Sequence, residues 1–166
     1  MAAQSSFDVT SPVDFQELDN ALNQARKEVG QRYDFKGAKA EFELKVAEKT
    51  LTLVADDNFK MSALWEIIQT RLVRRGVPIK NFKEGEPENA SGGAVRKVFT
   101  IQEGVPIESA RDIVKYIKDL KLRRVQASIQ GDQVRVTSPS KDDLQEAMRH
   151  LREKDFGVAL TFGNYR

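Results

Sequence analysis

The chain contains no cysteine and a single histidine, His150. Without thiols there is no disulfide, no thiolate nucleophile and no thiolate metal site. Their absence fits a reducing, cytoplasmic setting. One histidine rules out a multi-histidine metal centre within one chain. A Ser-His-Asp set would have to use His150, which sits on a helical stretch with Arg149 and Arg152. No apolar run approaches the roughly 18 residues of a membrane span, and the opening MAAQSSFDVT lacks the charged start and greasy stretch of a signal peptide. No membrane partner is expected. No glycine run ends in Gly-Lys-Ser/Thr, so no P-loop is present to cradle a phosphate. The carboxylate pairs Asp56-Asp57 and Asp142-Asp143 each stand where a helix begins, and capping accounts for them ahead of acid–base chemistry. The sequence therefore predicts no enzyme, no cofactor and no metal. A dominant charge is missing too. With 27 Lys and Arg against 25 Asp and Glu, the formal charge is +2, so affinity for phosphate must come from local clusters.

What is present is one pattern written twice. Ser11, Pro12 and Asp14 suit the start of a helix, as cap, first residue and dipole partner. Leu18, Leu22, Ala25 and Val29 then recur at helical spacing. AEFELKV alternates apolar and polar residues and reads as a strand, with TLTLVA as its hairpin partner. A second helix buries Met61, Leu64, Trp65, Ile68 and Leu72 and ends at Gly76. VPIKNF fits an edge strand, the place where Pro78 is tolerated. KEGEPENASGGA is polar, glycine-rich and aperiodic, and reads as a linker. The order then repeats. VRKVFTIQ is a strand, IESARDIVKYIKDL a helix, and VQASIQGDQVRVTS a hairpin turning at Gly131-Asp132. A capping-box-like Ser140 to Asp143 opens another helix, and GVALTF closes the pattern. Leu64, Glu66 and Ile68 match Leu144, Glu146 and Met148, and GVPIKNF matches GVALTF.

With SFDVT as the first strand of the first copy, each copy reads β-α-β-β-α-β. Right-handed crossovers fold that order into a four-stranded antiparallel sheet with both helices on one face. The expected class is α+β, a tandem of ferredoxin-like, RNP-like domains. The expected bounds are 1–83 and 95–166 joined by a linker at 84–94, with exchange of terminal strands between the domains left open.

Alternation also predicts which side chains face away from the helices. In the first hairpin they are Glu41, Glu43, Lys45, Thr50 and Thr52, partly acidic. In the second they are Arg124, Gln126, Ser128, Gln130, Gln133, Arg135 and Thr137, basic and without a carboxylate. A polyanion would favour the second, although an ordinary polar face has the same composition. The third strands carry no aromatic on which an RNA-recognition module could stack bases, and Phe7 and Phe99 on first strands serve a core equally well. Further cations cluster near helix ends: Arg71, Arg74, Arg75 and Lys80, then Lys115, Lys118, Lys121, Arg123 and Arg124. Phosphate binding and pairing with the helix dipole both account for them. In RYDFKG, residues 32–37, helical spacing from Val29 places Tyr33 in the core, Phe35 joins it, and Gly37 turns the chain. Arg32 and Lys36 stay in water, where they and an exposed ring could meet a nucleotide.

SFDVTSPVDFQELDNALNQARKEVGQRYDFKG, VQASIQGDQVRVTSPSKDDLQ and the closing FGNYR together resemble the YajQ family of bacterial proteins. The resemblance runs over nearly the whole chain. It implies tandem ferredoxin-like domains and binding of a nucleotide or nucleic acid, RNA or DNA. Some members are regarded as receptors for cyclic di-GMP that influence transcription, which implies a transcription-factor partner. No catalytic motif comes with it. The candidate nucleotide-binding residues are therefore those chosen by charge and position: Arg32, Tyr33, Phe35, Lys36, Arg74, Arg75, Lys121, Arg123, Arg124 and Arg135. The competing expectation is a protein-interaction adaptor in transcription or translation that has no nucleotide ligand.

Overall fold

The computed structural model describes residues 3–166. In chain order its elements are β1 (Ser5–Thr10), α1 (Phe15–Gln31), β2 (Ala40–Lys45), β3 (Thr50–Ala55), α2 (Asn58–Arg74), β4 (Phe82–Glu84), β5 (Glu88–Asn89) and β6 (Val95–Ile101). They continue with α3 (Ile107–Asp119), β7 (Gln126–Gln130), β8 (Gln133–Ser138), α4 (Lys141–Glu153) and β9 (Thr161–Gly163). The strands form two antiparallel sheets, ordered β7-β8-β1-β9 and β2-β3-β6-β4, with β5 also paired to β6. The α+β class of tandem βαββαβ folds is the one the periodicity predicts.

The chain divides into two units: the stretch up to Pro12 together with Glu103–Arg166, and Val13–Gln102. The terminal strands are the ones exchanged. SFDVT, read as the first strand of the first copy, pairs with β8 and β9 in the C-terminal unit. VRKVFTIQ, read as the first strand of the second copy, pairs with β3 and β4 in the Val13–Gln102 unit. Each sheet still has the ferredoxin-like order, because the borrowed strand occupies the central place of the missing one. The Val13–Gln102 unit is thus an insertion after β1. Its entrance and exit are adjacent, since the Gly104 amide donates to the Ser11 carbonyl at 2.8 Å. Gly104 allows this closeness. Its φ is +87°, and a Cβ there would lie 2.5 Å from Asp132 Oδ2.

The segment read as a linker lies inside the insertion. β4 and β5 run along the same edge of β6, with the Gly85 amide bonded to the Val98 carbonyl between them. The polar glycine-rich residues after them form the turn into β6, and Ala94 is buried. An edge hairpin and a linker share this composition.

Caps follow the expected chemistry with one change. Asp14 caps α1 by accepting from the amides of Gln16 and Glu17, and Ser11 donates to the Ala159 carbonyl at 2.6 Å instead. Asp57 accepts from the Lys60 amide and Ser140 from the Asp143 amide, opening α2 and α4. Each unit has its own core. In Val13–Gln102, Leu51, Leu53 and Phe99 meet Leu18, Leu22, Leu64 and Ile68, and the Trp65 ring stacks on Phe99 at 4.1 Å. In the other, Phe7, Val9, Val134 and Val136 meet Ile113, Leu144 and Leu151. Phe7 and Phe99 are therefore both core residues. Burying each such side chain contributes about 1.5–3 kcal/mol.

Candidate functional site

The RYDFKG stretch ends α1 abruptly. Arg32 is extended, at φ −81° and ψ 131°, and Tyr33–Phe35 forms a single 3₁₀ turn. That break separates the two rings. Phe35 is 4% exposed and closes the core, with Lys60 Nζ 5.1 Å and Arg32 Cζ 5.7 Å from its ring centre. Tyr33 is 88% exposed and is not a core residue, because the helical step from Val29 ends before reaching it. Gly37 turns the chain at φ +74°, as expected. Lys60 Nζ donates to the Asp34 carbonyl, bringing the start of α2 against the turn. Its neighbour Phe59 is a second exposed ring, 78% accessible.

Many cations of the Val13–Gln102 unit already have partners. Arg32 donates to Asp34 at 2.9 and 2.8 Å and to Glu28 at 3.4 Å. The bidentate contact holds the Asp34 carboxyl below its ordinary pKa and raises that of Arg32. Arg71 donates twice to Glu28, and Arg75 donates to Glu17 at 3.3 Å. Arg74 and Lys36 are exposed, and their side chains make no hydrogen bond or ion pair among the described residues. These contacts also make α1 and α2 antiparallel, so Arg32 and Arg75 belong to opposite ends of the helix pair. Glu17, the partner of Arg75, lies 15 residues before Arg32, roughly 22 Å of helix. Arg32 and Lys36 on one side, and Arg74 and Arg75 on the other, are two places within this unit.

In the C-terminal unit the face of the sheet away from the helices is less basic than the hairpin alone suggests. β1 is the strand beside β8, and Asp8 lies directly across from Arg135. Arg135 Nε donates to Asp8 Oδ1 at 2.9 Å, and Asn164 Nδ2 donates to Asp8 Oδ2 at 2.6 Å. Asp8 is 4% exposed. The Arg135 hydrogen bonds lower its pKa, against the opposing effect of burial, with help from Asn164. The expected absence of a carboxylate thus holds for the hairpin and fails for the sheet. Arg124 is not on that face either. It precedes β7 in a turn, at φ +65°, and with Lys121 and Arg123 forms an exposed cationic corner. The side chains of these three make no hydrogen bond or ion pair among the described residues.

One cleft of this unit was not among the sequence-based candidates. Past β9 the chain continues beside β1 through a bulge at Asn164, whose φ is 52°. Ser6 and Arg166 exchange backbone hydrogen bonds at 3.2 and 3.0 Å. Tyr165 is thereby held beside α4, its hydroxyl 3.3 Å from the Phe162 carbonyl and 4.0 Å from Met148 Sδ. A cleft of about 330 Å³ results, floored by Phe7, Leu144 and Met148 and rimmed by Lys141, Gln145 and Arg166. The signal in the sequence was the spacing of Lys141, Leu144, Gln145 and Met148, one stripe of a helix. The wall opposite comes from FGNYR, and nothing in local periodicity joins the two.

Among the described residues no group of three or more His, Asp or Glu is placed to hold a metal, and no helix is long and apolar enough to cross a membrane. Comparison with known proteins gives a match over residues 5–166 to the family model described as "Nucleotide-binding protein YajQ-like". A protein of Geobacter metallireducens is 50% identical over 161 residues, covering 97% of this chain and 98% of its own. One of Geotalea uraniireducens is 47% identical with the same coverage. One of Elusimicrobium minutum is 46% identical over 164 residues, covering 99% of each chain. All three are named "Nucleotide-binding protein".

Proposed function

The chain belongs to the YajQ-like nucleotide-binding protein family, and from that premise we propose that it is a non-enzymatic, cytoplasmic protein that binds a nucleotide or nucleic acid. Cyclic di-GMP is the specific nucleotide to try first, with control of a transcription partner as the consequence. The observation that carries the reading is Tyr33, a ring standing in solvent between Arg32 and Lys36. An exposed aromatic beside cations stacks a base while the cations take its phosphate. Phe35, being buried, positions the turn and does not stack. Lys36, Arg74, Lys121, Arg123 and Arg124 are the candidate phosphate contacts, because among the described residues their side chains make no hydrogen bond or ion pair. Arg32, Arg75 and Arg135 would have to leave a carboxylate first, which makes them weaker candidates.

The test is titration of the full chain with cyclic di-GMP, GTP, ATP and a short RNA at two salt concentrations. Saturable binding that weakens with log salt, by about 0.7 per phosphate contact for a single strand, supports the reading. Saturable binding to none of them would leave the adaptor reading in its place.

A further inference from the structure

We propose that the cleft between α4 and the C-terminal segment binds a single nucleoside phosphate. The inference rests on the nucleotide-binding reading and adds a site to it. Its volume of about 330 Å³ lies at the small end of ligand pockets, which run from about 300 to 1,000 Å³. That suits one base with its sugar and phosphate better than the two bases of a cyclic dinucleotide.

The lining matches the three parts of such a ligand. Tyr165 offers its ring. Its hydroxyl donates toward the Phe162 carbonyl at 3.3 Å and lies 4.0 Å from Met148 Sδ, while 62% of the residue stays accessible. With Leu144 and Met148 it forms an apolar slot for a flat heterocycle. Gln145 lies one helical step from Lys141 and carries both donor and acceptor groups, as the edge of a base requires. Lys141 is the first residue of α4 and brings an ammonium group to the positive end of the helix. Arg166 adds a second cation at the rim, and its charge also acts on Asp8.

The lack of internal partners separates this cleft from the ion-paired cations, and its apolar floor separates it from the exposed corner of Lys121, Arg123 and Arg124. Arg32, Arg71, Arg75, Arg135 and Arg149 each hold a carboxylate. Among the described residues, the side chains of Lys141 and Gln145 make no hydrogen bond or ion pair. Polar groups converging over an apolar floor, with no partner of their own, are arranged for a ligand that is polar at one end and flat at the other. The tail is fastened by three hydrogen bonds, the Ser6–Arg166 pair and Asn164 to Asp8, so the slot exists before the ligand arrives.

The experiment is a backbone-amide chemical-shift titration of the full chain with GMP, AMP, cyclic di-GMP and inorganic phosphate, repeated on Lys141→Ala and Tyr165→Ala. GMP or AMP should move the amides of Ser6, Gln145, Tyr165 and Arg166 together. Each substitution should weaken that binding about tenfold without changing the melting temperature by more than a few degrees. Shifts confined to Tyr33, Lys36 and their neighbours, with Lys141→Ala binding as wild type, would remove the cleft and leave the nucleotide reading standing. No shift with any nucleotide would remove both. Inorganic phosphate binding as tightly as GMP would reduce the cleft to an anion site and overturn its nucleoside specificity.

Discussion

The two sheets share one strand order and differ in what their central strand brings to the face away from the helices. In the Val13–Gln102 unit, β6 lays Arg96, Val98 and Thr100 beside Val54, Thr52 and Thr50. The Glu41, Glu43 and Lys45 row of β2 lies beyond them. In the C-terminal unit, β1 lays Ser6 and Asp8 beside Thr137 and Arg135. Asp8 is nearly buried and ion-paired there, whereas the matching place in the first unit, across from Thr52, holds the uncharged Val98. A hairpin therefore does not determine the charge of its own sheet. The strand added next to it does, and here that strand comes from the far side of the insertion.

Emptying either core at its borrowed strand should do the most damage. Phe99→Ala and Phe7→Ala should each cost about 3–5 kcal/mol. Hydrogen exchange should localise the damage. Phe99→Ala should speed exchange in β3, α1 and α2, and Phe7→Ala in β8, α3 and α4. The opposite assignment would show that the strands are not exchanged.

A smaller effect sharpens the contrast between the two faces. Asp8→Asn removes a buried charge from Arg135 and weakens the hold on Asn164, at a cost of about 1–3 kcal/mol. Its acid dependence has a definite sign. Folding lowers the pKa of Asp8, so its contribution is fully present above its unfolded value of about 4 and is lost as pH falls through the lower folded value. Asp8→Asn should therefore flatten the acid limb of the stability profile, read by chemical denaturation between pH 6 and pH 2. An unchanged acid limb would mean that the pair contributes nothing.

The smallest expected effect on stability is at the RYDFKG turn. Tyr33→Ala should change unfolding free energy by less than about 0.5 kcal/mol while weakening nucleotide binding about tenfold. Phe35→Ala should instead unfold part of the unit. Equal destabilisation by both would put Tyr33 back in the core.

Much of this fold can be read in the sequence, because local pattern carries it. The alternation in AEFELKV and TLTLVA, the stripe from Met61 to Leu72, the Gly131-Asp132 turn and the Ser140 cap each act over a few residues. Which sheet receives SFDVT and which receives VRKVFTIQ is a different kind of question. Both segments alternate, both carry a phenylalanine for the core, and either could satisfy either sheet by pattern alone. The linker reading of residues 84–94 failed for a related reason, since the edge of a sheet and a flexible connection use the same residues. Tyr33 was misplaced because the helix stops at Gln31, two residues before the helical step needs it. No local pattern announces the cleft at Tyr165, because its walls, α4 and the C-terminal segment, are brought together by the pairing of Arg166 with Ser6.

The most direct measurement compares two fragments, residues 13–102 and residues 1–83, by circular dichroism melting and amide dispersion. The first contains every strand of its sheet and should fold cooperatively alone. The second lacks β6, the strand between β3 and β4, and should not. A cooperative melt for 1–83 together with an unfolded 13–102 would contradict the exchange of strands, and with it the pairing of Asp8 and Arg135 that sets the charge of the second sheet.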